Sequence, residues 1–478
     1  MQPPFIHQLP PELLSCIFSE YDTAIPDQNQ LNLIDPRPKT ELKRLAKLHL
    51  LVLAQVCSRW HSVVLSQPNL WNRFAVDAEL WESPEFEERA VELLDRCLRR
   101  SGSIPLMFDF SATAGDGRAS RRLLQMLVNN CSRWRDVYMW LDLAQWELMQ
   151  VIRGRIPILK CLDVTVNNAL DAPPLDIGVF SDAPRLRSVV FSGRVVDIPR
   201  IPWPQLKTFK LLGNPVSTSD LTTRAIRQLP LSALPPGSGF ILRAAVEPAG
   251  SALPPDAERK TSLIRTLELT IRVAADQQRR KDVLDDILAF LALPKLQNFM
   301  LLPTPSASRA RQFPCWSPDG FSALAARSGF SATLSSLKIV AYIDVPELLA
   351  ALKGLPRLED LILSDLPDSS CTVITTDLLS ALVAHPNTTP LVPLLGLLSL
   401  STRLEFNQPV LLDVARTRMP LCAEFTYLFN LELFIMAEID CSLATETLNQ
   451  LTSWGTDGLA LTVLRTDESK WHRLLGFF

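Results

Sequence analysis

Residues 9–18 read LPPELLSCIF, where Leu13, Leu14, Ile17 and Phe18 fall at i, i+1, i+4 and i+5 and form one apolar stripe on a helix. Pro10 and Pro11 suit a first helical turn, where a missing N–H has no partner to lose, and Glu12 complements the positive end of the dipole. The polar, proline-punctuated DTAIPDQNQLNLIDPRPKT (22–40) predicts an exposed loop. Apolar residues then recur at Leu42, Leu45, Leu48, Val52, Val56, Trp60 and Val63 or Val64, which predicts one helix from about Glu41 to Leu65, stopped by SQP at 66–68. Another helix is expected in SPEFEERAVELLDRCLRR (83–100), with Ser83 as cap, Pro84 in the first turn and Arg99 and Arg100 in the last.

Beyond residue 104 the texture alternates: IPLMFDF (104–110) reads as a strand, RRLLQMLVNNCSRW (121–134) as a helix, DVYMWLDL (136–143) as a strand, and AQWELMQVIRG (144–154) as a helix. From there a phrase recurs: PILKCLDV, PRLRSVVF, PQLKTFKL, PKLQNFML and PRLEDLIL, beginning at Pro157, Pro184, Pro204, Pro294 and Pro356. Related phrases without the proline lie at 262–271, 333–342, 394–404 and 428–436. Strand centres fall near 108, 138, 163, 190, 210, 268, 300, 338, 362, 398, 433 and 462, and all intervals but one are of repeat size. The exception, from 210 to 268, contains residues 229–260, which hold either a hidden repeat around FILRAAV or a disordered insertion.

Alternation after the leucine turns every second side chain of a short strand inward, and segments such as DVLDDILAFLALPKL (282–296) supply a helix behind it. One such unit cannot cover its own apolar face, whereas stacked units can. The fold class predicted is α/β: an all-helical N-terminal bundle at 5–75 with an insertion near 22–40, a helical linker at 76–104, and at 105–478 a solenoid with parallel strands inside and helices outside.

The 37 prolines in 478 residues exceed the roughly 5% average and fit many short elements. A formal charge of −3 supplies no basic field for nucleic acid or an anionic membrane, which leaves protein as the expected partner. Nine scattered cysteines without a CxxC pair argue against a zinc site or a disulfide framework and for buried thiols in a reducing compartment. MQPPFIHQLPPELL has no basic segment leading an apolar one, so no secretory signal is expected, and the two sequons, at Asn130 and Asn387, carry no meaning. The uncharged stretch 378–402 is broken by Pro386, Pro390 and Pro393, too short between breaks to span a bilayer of about 30 Å. No phosphate loop, dinucleotide motif, HExxH or GxSxG is present, and the five histidines are dispersed. No enzyme, cofactor or metal is expected.

LPPELLSCIF together with LAQVCSRWHSVVLSQPNLW (53–71) resembles the F-box, whose order is Leu-Pro-x-Glu, an apolar helix, Val-Cys-x-x-Trp and a closing Pro-x-Leu-Trp. With RSGSIPLMFDF and CSRWRDVYMWL downstream, the chain is similar to the F-box and leucine-rich-repeat families of mushroom-forming fungi, although the segment between Phe18 and Val56 is longer than in a compact F-box. The resemblance implies docking on the Skp adaptor of an SCF ubiquitin ligase through Leu9, Pro10, Leu13, Leu14, Ile17, Phe18, Val56, Trp60, Val63, Pro68, Leu70 and Trp71, with Val56 and Trp60 also in the bundle core. It implies a target protein held on the repeats and a cytoplasmic or nuclear location. The alternative is a repeat scaffold outside any ligase, in which the same stripe only caps the first repeat. The basic run Arg37, Lys39, Lys43, Arg44 and Lys47, like Arg279, Arg280 and Lys281, reads as a solvated face, and Trp203, Trp316 and Trp454 as rim packing or target contacts.

Overall fold

The computed structural model describes residues 9–24, 48–78, 84–112, 117–167, 177–192, 200–212, 221–247, 259–272, 281–303, 313–366, 372–385, 389–418, 428–436, 442–457 and 459–466. The chain divides into two compact units, Met1–Leu206 and Lys207–Phe477.

Among the described residues of the first unit, α1 (Pro11–Ala24), α2 (Leu48–Val56) and α3 (Ser58–Ser66) precede the strands β1 (Arg73–Asp77), β2 (Leu106–Ser111), β3 (Trp134–Asp142), β4 (Cys161–Asn167) and β5 (Ser188–Ser192). Each strand pairs in parallel with the next. Between them lie α4 (Pro84–Arg100), α5 (Arg118–Asn129) and α6 (Leu143–Leu148), successive helices packing on one another.

Among the described residues of the second unit, the parallel strands run β6 (Thr208–Leu212), β8 (Gly239–Glu247), β10 (Thr266–Arg272), β12 (Asn298–Pro303), β13 (Ser336–Ile339), β14 (Asp360–Ser364), β15 (Leu397–Thr402), β16 (Asn430–Met436) and β17 (Ala460–Thr466). Two-residue strands β7 (Leu221–Thr222), β9 (Lys260–Thr261) and β11 (Leu291–Ala292) add short pairings, β7 with β8 and β9 with β11. Helices α7 (Thr223–Gln228), α8 (Asp282–Ala289), α9 (Pro318–Ser328), α10 (Val345–Lys353), α11 (Thr376–Leu382), α12 (Gln408–Thr417) and α13 (Thr445–Ser453) pack each on the next.

The recurring Pro-x-Leu phrase has a local cause. In each copy the leucine N–H closes a four-residue turn on the carbonyl three residues back, with proline second, where its fixed φ suits the turn. The bonds are Leu159 to Ile156, Leu186 to Ala183, Leu206 to Trp203, Leu296 to Leu293 and Leu358 to Leu355, at 3.1–3.4 Å. All five leucines are fully buried. The strand that follows is tied to the previous repeat by a shared carbonyl: Arg265 O accepts from Gln297 and Asn298, Gln297 O from Ser335 and Ser336, and Ser335 O from Glu359 and Asp360.

Arginine supplies a second link between repeats. Arg133 donates to Leu98 O, Arg327 to Leu288 O and Arg418 to Leu382 O, across 35, 39 and 36 residues, each reaching the C-terminal carbonyls of a helix one repeat earlier. These carbonyls lack partners within their own helix and carry the negative end of its dipole, so a guanidinium meets both needs.

Four expectations change. The helix foreseen over 41–65 is two helices in its described part: Cys57 is extended, and its sulfur caps α3 by accepting from Trp60 N at 3.5 Å. The helical linker foreseen at 76–104 contains the end of β1 and α4, and β1–α4–β2 forms a strand–helix–strand unit. Residues 239–247, within the ambiguous 229–260, form β8 between β6 and β10, while 248–258 lie outside the described residues. Trp203 and Trp316 are buried and so cannot serve as surface contacts, and Trp454 is half-buried. The basic run at 37–47, Arg279 and Arg280 also lie outside the described residues, and Lys281 Nζ donates to Glu347 at 2.7 Å.

Candidate functional site

The site is the N-terminal helical bundle. Its core consists of Leu14, Phe18, Ala54, Val63, Val64, Leu70 and Trp71, with Leu9, Leu53, Trp60, Leu65 and Cys97 packed against it. The Phe18 and Trp60 rings meet at a centroid distance of 4.8 Å, inclined by 58°. Trp71 Nε1 donates to Val64 O at 2.7 Å, and the Arg59 guanidinium donates to Leu9 O, fixing the entry to α1. The closing Pro68–Leu70 turn brings Trp71 under the Arg100 guanidinium, 4.4 Å from the ring centroid.

The twelve residues expected at the adaptor surface therefore separate. Leu14, Phe18, Val63, Leu70 and Trp71 are buried by this chain, so in this conformation they are unavailable to a partner. Leu9, Trp60 and Pro68 are half-buried, and Pro10 is exposed. Leu13 and Ile17 are 50% and 45% exposed, and Val56, expected in the core, is 55% exposed. Val52, one of the apolar positions whose spacing predicted a long helix, is 60% exposed. The surface thus carries two i, i+4 apolar lines, Leu13–Ile17 on α1 and Val52–Val56 on α2, and these two helices pack together. The sequence did hold a signal for Val52: LHLLVLAQV is apolar all round, and such a helix needs cover on every side.

Leu14→Ala and Leu13→Ala are expected to behave oppositely. The first opens a cavity in the bundle and costs about 2–5 kcal/mol of its stability, and the second leaves stability within about 0.5 kcal/mol, by thermal denaturation.

Residues 6–77 match the F-box-like family, and the chain carries an F-box-like domain there. Domains of this kind bind the Skp adaptor within SCF ubiquitin ligases. No curated protein matches the chain. Among the described residues no cluster of three or more His, Cys, Asp or Glu is arranged to hold a metal ion, and no helix is long and apolar enough to cross a membrane.

Proposed function

We propose that the chain is the substrate-recognition subunit of an SCF-type ubiquitin ligase, a protein that contributes no chemistry of its own. The observation carrying this is the exposed Leu13, Ile17, Val52 and Val56 set inside the F-box-like match. Apolar side chains on neighbouring helices that stand in water raise the free energy, which falls when they are buried against a partner's apolar face. The downstream strand–helix units, with their buried leucines, serve as an irregular leucine-rich-repeat solenoid that holds a target protein. Its lysines are thereby kept near the charged ubiquitin carrier, a gain in effective concentration.

Co-purification with the Skp adaptor tests the proposal. Wild type should bind, and Leu13→Ala with Ile17→Ala should weaken binding about tenfold or more while the circular dichroism stays unchanged. An unbound wild type with a folded bundle would sink it. A second reading, a repeat scaffold whose bundle only caps the first strand unit, draws on the packing of Cys97 and Arg100 of α4 against that bundle. It predicts that cullin fails to co-purify, with or without the adaptor.

A further inference from the structure

The first unit's sheet has one face packed in the core, through Phe108, Phe110, Val137, Met139, Leu162 and Val164. The alternate positions form the opposite face, which is only partly covered. Across it a register row runs Asp109, Tyr138, Asp163 on β2, β3 and β4. Adjacent parallel strands lie about 4.8 Å apart, so Asp109 and Asp163 stand on the strands to either side of Tyr138. Tyr138 is 43% exposed, although a tyrosine in mid-strand is usually covered. None of the three is a free group, since each also interacts within the chain.

The neighbouring rows extend this character. Asp136 precedes Tyr138 by two residues on the same face, and Arg135, in the bulge of β3, leans on it at 3.5 Å. Among the β1–β5 members of the register rows through Asp136 and Tyr138, Arg73 on the edge strand is the one cation, against Asp109, Asp163 and the Arg135-paired Asp136. In the row beyond, Trp140 and Thr165 are register partners. The indole Nε1 of the first and the Oγ1 of the second are buried without a hydrogen-bond partner, and Thr165 is 6% exposed. Both atoms are closed off from solvent, so they lie beneath the face rather than on it, and an arriving partner meets the Asp109, Tyr138, Asp163 row instead.

We infer that this face binds a basic segment of a target protein, an arginine or lysine side chain lying over the Tyr138 ring between Asp109 and Asp163. A cation over an aromatic face is attracted by the ring quadrupole, and flanking carboxylates add charge-assisted hydrogen bonds in a planar geometry that favours guanidinium. As the selection of a ligase target this rests on the adaptor reading; the binding itself does not.

The test is fluorescence anisotropy on the purified full chain with a short labelled peptide of alternating arginine and glycine, and with its glutamate counterpart. The arginine peptide should bind, weaken as salt is added, and bind about tenfold more weakly to Asp109→Asn with Asp163→Asn and to Tyr138→Ser. Should the double variant fail to fold, Tyr138→Ser decides alone, because its side chain is surface-exposed. Wild type that binds neither peptide, binds both alike, or is matched by Tyr138→Ser overturns the inference. Adaptor co-purification from the same preparations separates the two readings: peptide binding without the adaptor overturns only the ligase role, and the reverse overturns only this one.

Discussion

Arg418→Met is expected to destabilise the second unit by about 3–5 kcal/mol, read from chemical denaturation followed by circular dichroism. The Arg418 guanidinium is buried, donating to Leu382 O at 2.8 Å, Val392 O at 2.9 Å and Leu391 O at 2.5 Å. Leu382 is the last residue of α11, so the charge sits at the negative end of a helix. Burial lowers its pKa to about 10, still far above neutral pH, so the side chain remains charged in the folded protein. Methionine replaces much of the volume but leaves three carbonyls without a donor, and the loss arises from those carbonyls rather than from packing. Arg418→Lys should recover little of it, because one ammonium cannot match a fork spread over three acceptors. Full stability in Arg418→Lys would show that charge alone is what matters.

Asp365→Ala should cost a similar amount, about 3–5 kcal/mol, for the mirror-image reason. The Asp365 carboxylate is fully buried and accepts from Val373 N, Ile374 N, Thr402 Oγ1 and Arg403 N at 2.8–3.1 Å, tying the segment after β14 to the end of β15. Asp365→Asn keeps two of these bonds and can turn Thr402 into a donor's partner, but it sets an NH2 against Arg403 N–H, a loss of about 1–3 kcal/mol. Burial pushes the carboxyl up to about 6, against the four donors that pull it down. The folded chain therefore holds a proton where the unfolded chain, titrating near 4, has lost it. That contribution to stability is complete below about pH 4 and lost as pH rises through 6, so wild type should gain on Asp365→Asn when acidified from pH 7 to 5. Parallel pH profiles for the two proteins would refute the assignment.

The strands were legible because their signal is local. Each Pro-x-Leu turn fixes where the alternation starts, and all twelve strand centres read from the sequence fall inside strands of the structure. β1 was not legible: RFAVD buries only Phe74 and Asp77, and five residues with an irregular pattern do not announce a strand. β8 stayed ambiguous because Gly239 and the prolines around it read equally as loop. The break at Cys57 was hidden for the opposite reason, since the apolar spacing continues through it with neither glycine nor proline to mark it. On α1 the difficulty is geometric. A stripe two residues wide has an inner line, Leu14 and Phe18, and an outer line, Leu13 and Ile17, and periodicity alone cannot assign which of them the chain covers itself. The candidate site was therefore visible as a motif, with its faces partly interchanged.

Only Asn72 separates Trp71, which the bundle buries and Arg100 covers, from the first residue of β1, and Asn72 itself is pinned by its side-chain bond to Pro105 O at 3.0 Å. There is no hinge in this stretch. The bundle and the strands beside it make a ruler rather than a tether, so a target seated near Tyr138 would be offered at one bearing from a docked adaptor. Such a receptor would choose among the lysines of its target by where they stand in space, and a lysine moved to the far side of that target would escape even though it is still bound.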